Sequence, residues 1–409
     1  MINKVKLNII YLFILQVSNY ILPLITLPYI VRTIGVEKFG VLSYANVIIF
    51  YLNILIDYGF NLSATREISI NRGNKKKVSE IFISVILIKF ILLIISFLIM
   101  VGLLNTFVYL DKYKEIYYFT FLMLIGKVLF PIWYFQGIEK MGYITIINVL
   151  SKIFFTILIF IYIKSENDFY LIPLINSLGV ILGGFIAFII SLKYIDIFIP
   201  SVSTLMFYFK DSTSLFISNV SIALFTASNT LILGIFADPK IVGIYSSIEK
   251  LIIAIKNFFI PIYQGIYPWL AKKTNNDINK FIKKNIKYVF ILSFIITLFI
   301  FIYAKDILYI IYHNQNIIEY AYILQIFSLV PLFSALSMLF NYLYFNAIKA
   351  YKIRMKIFII SGVFNIFLGV ILTYIYNILG ITISVVITEF LLINLGLLYF
   401  FKFLGEVKS

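Results

Sequence analysis

The chain has 409 residues, of which 62% are hydrophobic and 13% charged, and its formal net charge at pH 7 is +16. Soluble domains have about 45–50% apolar and about 25% charged residues, so this composition excludes an ordinary soluble protein. With no cysteine and a single histidine, His313, the sequence excludes disulfides, thiolate metal sites and a histidine metal cluster, and it predicts no cofactor.

Long apolar runs follow one another along the chain; residues 81–107, for example, contain one charged residue, Lys89. A transmembrane helix needs about 20 apolar residues to cross about 30 Å of hydrocarbon. The runs predict an all-α integral membrane protein of about twelve transmembrane helices, in which the first is retained and not cleaved as a signal peptide. The predicted spans are residues 7–30, 39–62, 81–107, 116–137, 143–163, 169–191, 213–236, 241–268, 286–304, 321–345, 357–376 and 379–401.

Lysines and arginines between these spans are unevenly shared between the two sides of the membrane. Twenty-two lie on the side of the two termini and seven on the other side. Because basic loops stay in the cytoplasm, both termini are predicted to be cytoplasmic, and topology explains the basic charge without nucleic acid. All loops are short and contain no P-loop motif, so neither an ATPase nor another enzyme is predicted. A membrane polymerase or glycosyltransferase would need a large outer loop or a carboxylate cluster, for which residues 164–168 are too few.

Two segments about 200 residues apart, 33–51 and 235–253, have similar sequences with Gly40 and Gly243 at corresponding positions. This repeat predicts two pseudo-symmetric six-helix lobes around a central cavity. The predicted lobes are residues 1–192 and 213–409, joined by a cytoplasmic linker, 193–212. The alternative is that glycine and serine simply recur at helix starts.

Eight charged residues lie inside the predicted spans and away from their ends, where a charge is costly and is expected to have a function or a partner. Glu249 and Lys256 are seven residues apart, which places them on one face of a helix. The surplus of lysines predicts a cationic cavity for an anionic substrate, with interhelical ion pairs and snorkelling lysines as the alternative. The eight are Lys89, Lys127, Lys152, Lys250, Lys256, Asp57, Glu249 and Glu389.

Polar residues also recur within two equivalent spans, Asn19 in the first and Ser218 and Asn229 in the seventh. They predict a shared polar cleft, or alternatively interhelical hydrogen bonds. Arg32 and Arg66 lie near opposite membrane faces, where they are candidates for receiving or releasing an anionic group. If transport is driven by an ion gradient, the candidates for the coupling group are the buried carboxylates Asp57, Glu249 and Glu389.

Three extended stretches resemble the polysaccharide transporter family, the O-antigen flippases called Wzx. They are LPYIVRTIGVEKFGVLSYANVIIFYLNILIDYGFNLSATREIS from residue 27, PIWYFQGIEKMGYITIINVLSK from residue 131 and LILGIFADPKIVGIYSSIEKLI from residue 231. The resemblance covers most of the chain in order.

This resemblance implies the two-lobe fold of a superfamily that also contains multidrug exporters and lipid II flippases. It implies an undecaprenyl-pyrophosphate-linked oligosaccharide as substrate, moved to the outer leaflet of the bacterial cytoplasmic membrane. The implied partners are membrane lipids and the polysaccharide polymerase machinery. Family members often carry an acidic residue near the position of Asn229, so its amide departs from the pattern for cation coupling. An ion-coupled multidrug exporter on the same fold is the alternative, against which the surplus of intramembrane lysines argues.

Overall fold

The computed structural model describes residues 2–270 and 273–406, and within them the regular structure is helical, with no β-strand. The helices of the first half are α1 (Ile2–Asp57), α2 (Phe60–Ile70), α3 (Lys75–Thr106), α4 (Val108–Asp111), α5 (Lys114–Leu129), α6 (Ile132–Gly137), α7 (Met141–Tyr162), a 3₁₀ turn (Glu166–Tyr170) and α8 (Leu171–Leu192). Those of the second half are α9 (Val202–Thr226), α10 (Ser228–Phe236), α11 (Pro239–Asn257), α12 (Phe259–Leu270), α13 (Asn275–Ile302), α14 (Ala304–Tyr312), α15 (Gln315–Ile318), α16 (Ala321–Phe327), α17 (Leu329–Met338), a π-helical segment (Leu339–Tyr344), α18 (Phe345–Ala347) and α19 (Tyr351–Glu406).

Eight helical stretches in the described part of the chain are long and apolar enough to cross a membrane. Two of them are interrupted by a residue with non-helical dihedrals, Gly35 in α1 and Asn377 in α19, so each provides two spans. The α9–α10 and α11–α12 stretches occupy the positions of the predicted seventh and eighth spans. These stretches together give twelve spans, and the prediction of an all-α multi-pass membrane protein is confirmed.

The chain divides into two compact units, residues 1–220 and residues 221–409. Helix α9 begins at Val202, so the second part of the segment predicted as a linker is helical. The Ser201 side chain explains this early start, because its Oγ accepts a hydrogen bond from the Thr204 amide at 3.2 Å and satisfies one of the free donors of the first turn. The helix therefore starts eleven residues before the predicted seventh span.

Close packing of α5 against α8 forms the centre of the first unit. A Cβ added at Gly184 would lie 2.2 Å from the carbonyl oxygen of Gly126, so only glycine allows these backbones to approach. Small residues commonly permit such contacts between membrane helices, where hydrophobic transfer provides no driving force. This contact fixes the position of α5 one residue before Lys127.

The core of the second unit surrounds the π-helical segment. Phe340 and Tyr344 of this segment are buried against Phe400 of α19, with ring centroids 5.3 Å and 4.8 Å apart. Phe259 of α12 belongs to the same cluster of buried side chains. Dispersion between large rings thus holds α19 to the π-helical segment, against which α12 also packs.

The same turn occurs in both units, at residues 134–140 and 344–350. In each, the amide of the seventh residue donates to the carbonyl of the second, at 2.9 Å in the first turn and 2.8 Å in the second. The sixth residues, Glu139 and Lys349, both have left-handed backbones, with φ of 58° and 60°. The two sequences, YFQGIEK and YFNAIKA, share Tyr, Phe and Ile. This shared geometry is a second sign of an internal repeat, beyond the two segments found in the sequence.

Replacing Lys349 by glycine is expected to stabilise the protein by about 1 kcal/mol, since a left-handed backbone costs a non-glycine residue about 1–2 kcal/mol. Glu139→Gly should gain less, because the Glu139 carboxylate also pairs with Arg72 at 2.9 Å. The measurement is the midpoint of thermal unfolding in detergent. A midpoint for Lys349→Gly below that of the wild type would contradict the prediction.

Candidate functional site

The end of α1 carries a carboxylate that faces the interior of the first unit. The Asp57 carboxylate accepts a hydrogen bond from the Lys89 ammonium of α3 at 2.8 Å and another from the Asn53 amide at 3.0 Å. The Lys89 side chain is only 2% exposed, so this ion pair lies inside the unit. Asn53 is one helical turn before Asp57, a spacing that places both side chains on one face of α1.

Two further lysines lie beside this pair. Lys127 of α5 is within electrostatic range of both Asp57 and Lys89, and Lys152 of α7 is within range of Lys127. The Lys152 ammonium donates to the Asn19 amide oxygen of α1. Among the residues that the structure describes, no hydrogen bond to the Lys127 ammonium is found. We call Asp57, Lys89, Lys127 and Lys152 the cationic cluster, because its three ammonium groups outnumber its single carboxylate.

The turn that follows Asp57 is held by helix α9. Tyr58 has a left-handed backbone with φ of 43°, and its ring stacks between Phe209 and Phe216 at centroid distances of 4.3 Å and 4.5 Å. The next residue, Gly59, has φ of 84°, and a Cβ there would lie 2.6 Å from the Leu215 Cβ. The position of Asp57 within the cationic cluster therefore depends on the contact between this turn and α9.

Replacing Gly59 by alanine is expected to lower the free energy of unfolding by about 2 kcal/mol or more. The left-handed backbone alone costs about 1–2 kcal/mol for a residue with a Cβ, and the contact with Leu215 adds to this cost. Gly102→Ala is the matched control, since nothing lies within 4 Å of a Cβ at that helical position. Thermal unfolding in detergent checks both variants, and equal midpoints for the two would contradict the role of the turn.

A second polar site lies inside the second unit, around a cavity of about 270 Å³. Its charged and amide-bearing lining residues come from α10, α11 and α19. The charged and amide-bearing residues of the lining are Asn229, Glu249, Lys256, Asn257, Asn365 and Glu389. We call this site the carboxylate cavity.

The two carboxylates of this cavity have different partners. Glu389 forms an ion pair with Lys256, and their side chains are 4% and 23% exposed. Glu249 instead accepts hydrogen bonds from the Thr230 hydroxyl at 3.1 Å and the Tyr245 hydroxyl at 2.9 Å. Within the described part of the chain, no lysine or arginine lies at ion-pair distance from Glu249. The Glu249 carboxylate is thus hydrogen-bonded by hydroxyl groups, with Lys250 and Lys256 within electrostatic range, whereas Glu389 forms a direct ion pair with an ammonium.

Amide side chains complete the wall of the cavity. The Asn365 amide nitrogen donates to Thr388 Oγ1 at 3.1 Å, while Ser228 Oγ donates to Asn365 Oδ1 at 3.4 Å. Asn229 is buried, and no partner for its Oδ1 is found among the described residues. A buried acceptor without a partner costs free energy, so Asn229 is a candidate ligand-binding group.

Nine of the thirteen candidate residues from the sequence fall into these two sites. Asp57, Lys89, Lys127, Lys152 and Asn19 meet in the first unit, and Asn229, Glu249, Lys256 and Glu389 line or approach one cavity in the second. The remaining four do not line either site: Arg32 and Arg66 are exposed, and Ser218 is half-buried on α9. Lys250 is exposed and lies within electrostatic range of Glu249 but outside the lining of the cavity.

Several polar partners of the candidate residues were not predicted from the sequence. Asn53 and Tyr245 precede Asp57 and Glu249 by four residues, a helical spacing that could have indicated them. Asn365 and Thr388 lie in different spans, and nothing in the sequence indicated that they meet. The lining of the carboxylate cavity is therefore only partly predictable from periodicity.

Comparison with known proteins places the chain in a family. The polysaccharide biosynthesis protein family matches residues 5–274. A curated protein of Escherichia coli K12, named "Putative O-antigen transporter", is 30% identical over 408 residues, covering 97% of each chain. A protein of the same name from Shigella dysenteriae is 26% identical and covers 95% of this chain and 98% of its own length.

Solved structures show the same fold at low sequence identity. An inward-facing multidrug resistance MATE family transporter of the MOP superfamily has a TM-score of 0.66 at 14% identity, covering 94% of this chain and 98% of its own. The lipid II flippase MurJ, in an inward closed conformation, has a TM-score of 0.68 at 15% identity, covering 99% and 88%. The resemblance found in the sequence is confirmed, and the chain belongs to the polysaccharide biosynthesis protein family with the fold of MOP superfamily transporters.

Proposed function

We propose that this protein is a flippase that moves a lipid-linked oligosaccharide from the cytoplasmic to the outer leaflet of a bacterial cytoplasmic membrane by alternating access. The observation that carries this proposal is the cationic cluster inside a membrane-spanning unit. Its relatives are named as transporters, and no bond needs to be formed or broken, so the protein acts as a carrier and not as an enzyme. Both termini lie in the cytoplasm in this scheme.

The cationic cluster suits the diphosphate of the substrate. Lysine ammonium groups form charge-assisted hydrogen bonds with phosphate oxygens, which are about twice as strong as neutral ones. Lys127 is the member best placed to receive an anion, because its ammonium has no hydrogen-bond partner among the described residues. Lys89 is already paired with Asp57, so an entering diphosphate competes with that carboxylate for it.

The rest of the substrate needs different surroundings. Sugar hydroxyls require hydrogen-bonding partners in place of water, and an amide such as that of Asn229, whose Oδ1 has no partner among the described residues, provides both donors and an acceptor. The polyprenyl tail remains in the hydrocarbon, so only the polar head has to be taken through the protein. After transport, the oligosaccharide is available to the polysaccharide polymerase machinery at the outer face.

Glu249 is the carboxylate best suited to couple transport to an ion gradient. Asp57 and Glu389 each have a lysine counterion, whereas Glu249 is held by hydroxyl groups and faces a cavity. A proton or other cation can therefore neutralise Glu249 without first breaking an ion pair. Family members often carry an acidic residue near the position of Asn229. The Asn229 amide cannot carry a proton across the membrane, so a different residue, such as Glu249, is needed for coupling in this protein.

Replacing Glu249 by glutamine is expected to abolish gradient-driven accumulation of substrate while leaving exchange at equilibrium. One charge moved through about 100 mV supplies about 2.3 kcal/mol, or roughly 50-fold in the ratio between leaflets. The measurement compares this ratio in proteoliposomes with and without an imposed gradient. Glu319→Gln, at an exposed position, is the control. Accumulation by Glu249→Gln equal to that of the wild type would rule out this coupling group.

A multidrug exporter on the same fold is the second candidate, favoured by the similarity to the MATE transporter. A cationic drug would be repelled by the cationic cluster, and for this reason we prefer an anionic substrate. Deleting the gene in its host distinguishes the two. The flippase predicts loss of surface glycan with precursor trapped on the cytoplasmic face, restored by the wild type but not by Lys127→Ala. Unchanged glycan with raised sensitivity to cationic drugs would support the exporter.

A further inference from the structure

The segment between α8 and α9 runs along the start of helix α3. Asp196 pairs with the Lys75 ammonium at 2.5 Å, and the Asp196 amide donates to Ser79 Oγ at 3.0 Å. Helix α3 begins at Lys75 and is almost wholly apolar from Ile81 onwards, so its first turn marks the boundary between water and hydrocarbon. These contacts place Asp196 at that boundary.

Side chains at the start of α3 also bind the first turns of α9, at the same boundary between water and hydrocarbon. The buried Tyr208 side chain donates to Glu80 Oε1 at 3.1 Å, and the same carboxylate accepts from Lys77 at 2.6 Å. The Lys77 ammonium also lies 5.9 Å from the centre of the Tyr208 ring. Residues 196–210, which we call the interfacial segment, are therefore fixed to the start of α3 at both ends.

Large apolar side chains of the interfacial segment point away from the first unit. Ile197, Ile199 and Val202 are 80%, 94% and 78% exposed, and Met206 and Phe207 on the next turn are also exposed. Tyr208, by contrast, is only 3% exposed. Exposed apolar residues on one side of a segment, with polar anchors on the other, are typical of a helix or loop that lies in a membrane interface.

Positive charge surrounds these apolar residues. Glu80 and Asp196 are already paired with Lys77 and Lys75, while Lys76 and Lys193 are exposed and form no ion pair among the described residues. A cavity of about 570 Å³ has a lining that is polar except for Ile197 and Phe198; the polar lining residues are Asn74, Lys76, Lys77, Ser79, Glu80 and Asp196. Because both of its carboxylates are already paired with lysines, this combination of basic, polar and apolar side chains matches a phospholipid, whose phosphate and acyl chain meet at this level.

We propose that the interfacial segment is a docking surface for the anionic leaflet of the membrane. Ile197, Ile199, Val202, Met206 and Phe207 insert at the boundary between headgroups and acyl chains. Lys76 and Lys193 bind the phosphates of anionic phospholipids, because a negatively charged leaflet attracts basic residues near its surface. Because α9 continues into the second unit, this surface anchors the chain connecting the two units to the lipid, independently of what the protein transports.

The experiment measures the depth of spin labels, which the absence of cysteine makes possible without further substitutions. Ile199→Cys is labelled in the full-length protein, reconstituted in vesicles that contain phosphatidylglycerol. Accessibility to oxygen, which is enriched in hydrocarbon, is compared with accessibility to a water-soluble nickel complex. Asn276→Cys is the solvated control, and Ile94→Cys, exposed in the middle of α3, is the control for a deep lipid-facing position. Phe207→Cys provides a second label should Ile199→Cys be unstable.

We expect depths for Ile199→Cys and Phe207→Cys between those of the two controls. Nickel accessibility equal to that of Asn276→Cys would show a solvated segment. Exclusion of both reagents would show that protein covers it, and a depth equal to that of Ile94→Cys would show an ordinary span. Each of these three results overturns the proposal.

The role of charge is tested with Lys76→Gln and Lys193→Gln in the labelled protein. The ratio of inserted to solvent-exposed label should fall roughly fivefold for each lysine removed in vesicles with phosphatidylglycerol. No such fall is expected in vesicles of phosphatidylcholine alone. The same ratio in both lipids, unaffected by these substitutions, would overturn the assignment of an anionic lipid.

Discussion

Lys127→Met is expected to abolish most transport of the oligosaccharide without destabilising the protein. A hydrogen bond to a charged group contributes about 1.5–3 kcal/mol, so losing it should weaken substrate binding roughly 10- to 150-fold. Stability should be unchanged or slightly higher, because the substitution removes a charge that lies inside a membrane-spanning unit without an ion-pair partner there. The measurements are the concentration dependence of flipping in proteoliposomes and the thermal unfolding midpoint of the same preparation.

Two variants accompany this experiment. Lys127→Arg keeps the positive charge and should retain part of the activity, whereas Lys305→Met removes an exposed lysine and should leave transport unchanged. Transport by Lys127→Met at the wild-type rate would exclude the cationic cluster as the site for the anionic group. A large loss of stability would instead indicate a structural role for this lysine.

Breaking the ion pair between Lys256 and Glu389 is expected to have the largest effect on stability. Removing one partner of a buried pair costs about 3–5 kcal/mol, because the remaining charge is left without compensation. We expect about 3 kcal/mol for Lys256→Met, since the Glu389 side chain that remains charged is only 4% exposed. Glu389→Leu should cost less, because the Lys256 side chain is 23% exposed and reaches some water.

The double variant Lys256→Met with Glu389→Leu distinguishes the interaction between the two residues from the interactions of each with its surroundings. An apolar pair of similar size often replaces a buried ion pair at little cost, so the double variant should be more stable than Lys256→Met alone. Unfolding in detergent under one set of conditions gives the change in the free energy of unfolding, relative to the wild type, for the two single variants and the double variant. If the effects of the two single substitutions simply add, the residues are not coupled and the pair does not hold α11 to α19.

The spans of this protein could be predicted from the sequence because lipid imposes a single rule on them. Every backbone group in hydrocarbon must be bonded internally, so a long apolar run becomes a helix whatever its detailed side chains. The same rule does not apply at the membrane boundary. There the helical start of α9 at Val202 depends on one side chain, Ser201, and was missed.

The two candidate sites were predictable to different degrees. Glu249 and Lys256 lie on one helix, so their spacing alone indicated that they share a face. Asp57, Lys89 and Lys127 lie on three different helices, and their meeting depends on how α1, α3 and α5 are packed, which no local pattern contains. Lys250 adjoins Glu249 in the sequence but points in another direction, about 100° away on the helix, and is exposed.

The repeated turns show a further limit of sequence reading. Glu139 and Lys349 adopt a left-handed backbone that neither residue type favours, so propensity argues against the observed conformation. The signal that was available is the shared Tyr, Phe and Ile at equal spacing in the two halves. That signal becomes meaningful only once the hydrogen bonds of both turns are known.

The most direct test of the proposed function is a measurement of leaflet sidedness with the purified protein. Proteoliposomes containing an undecaprenyl-pyrophosphate-linked oligosaccharide are treated with a glycosidase that cannot cross the bilayer, and the fraction of substrate cleaved is recorded. We predict near-complete cleavage with the wild-type protein, and cleavage of the outer leaflet alone with Lys127→Met or with protein-free vesicles. Cleavage of the outer leaflet alone with the wild-type protein, in vesicles that still transport a cationic dye, would contradict the flippase and support the multidrug exporter.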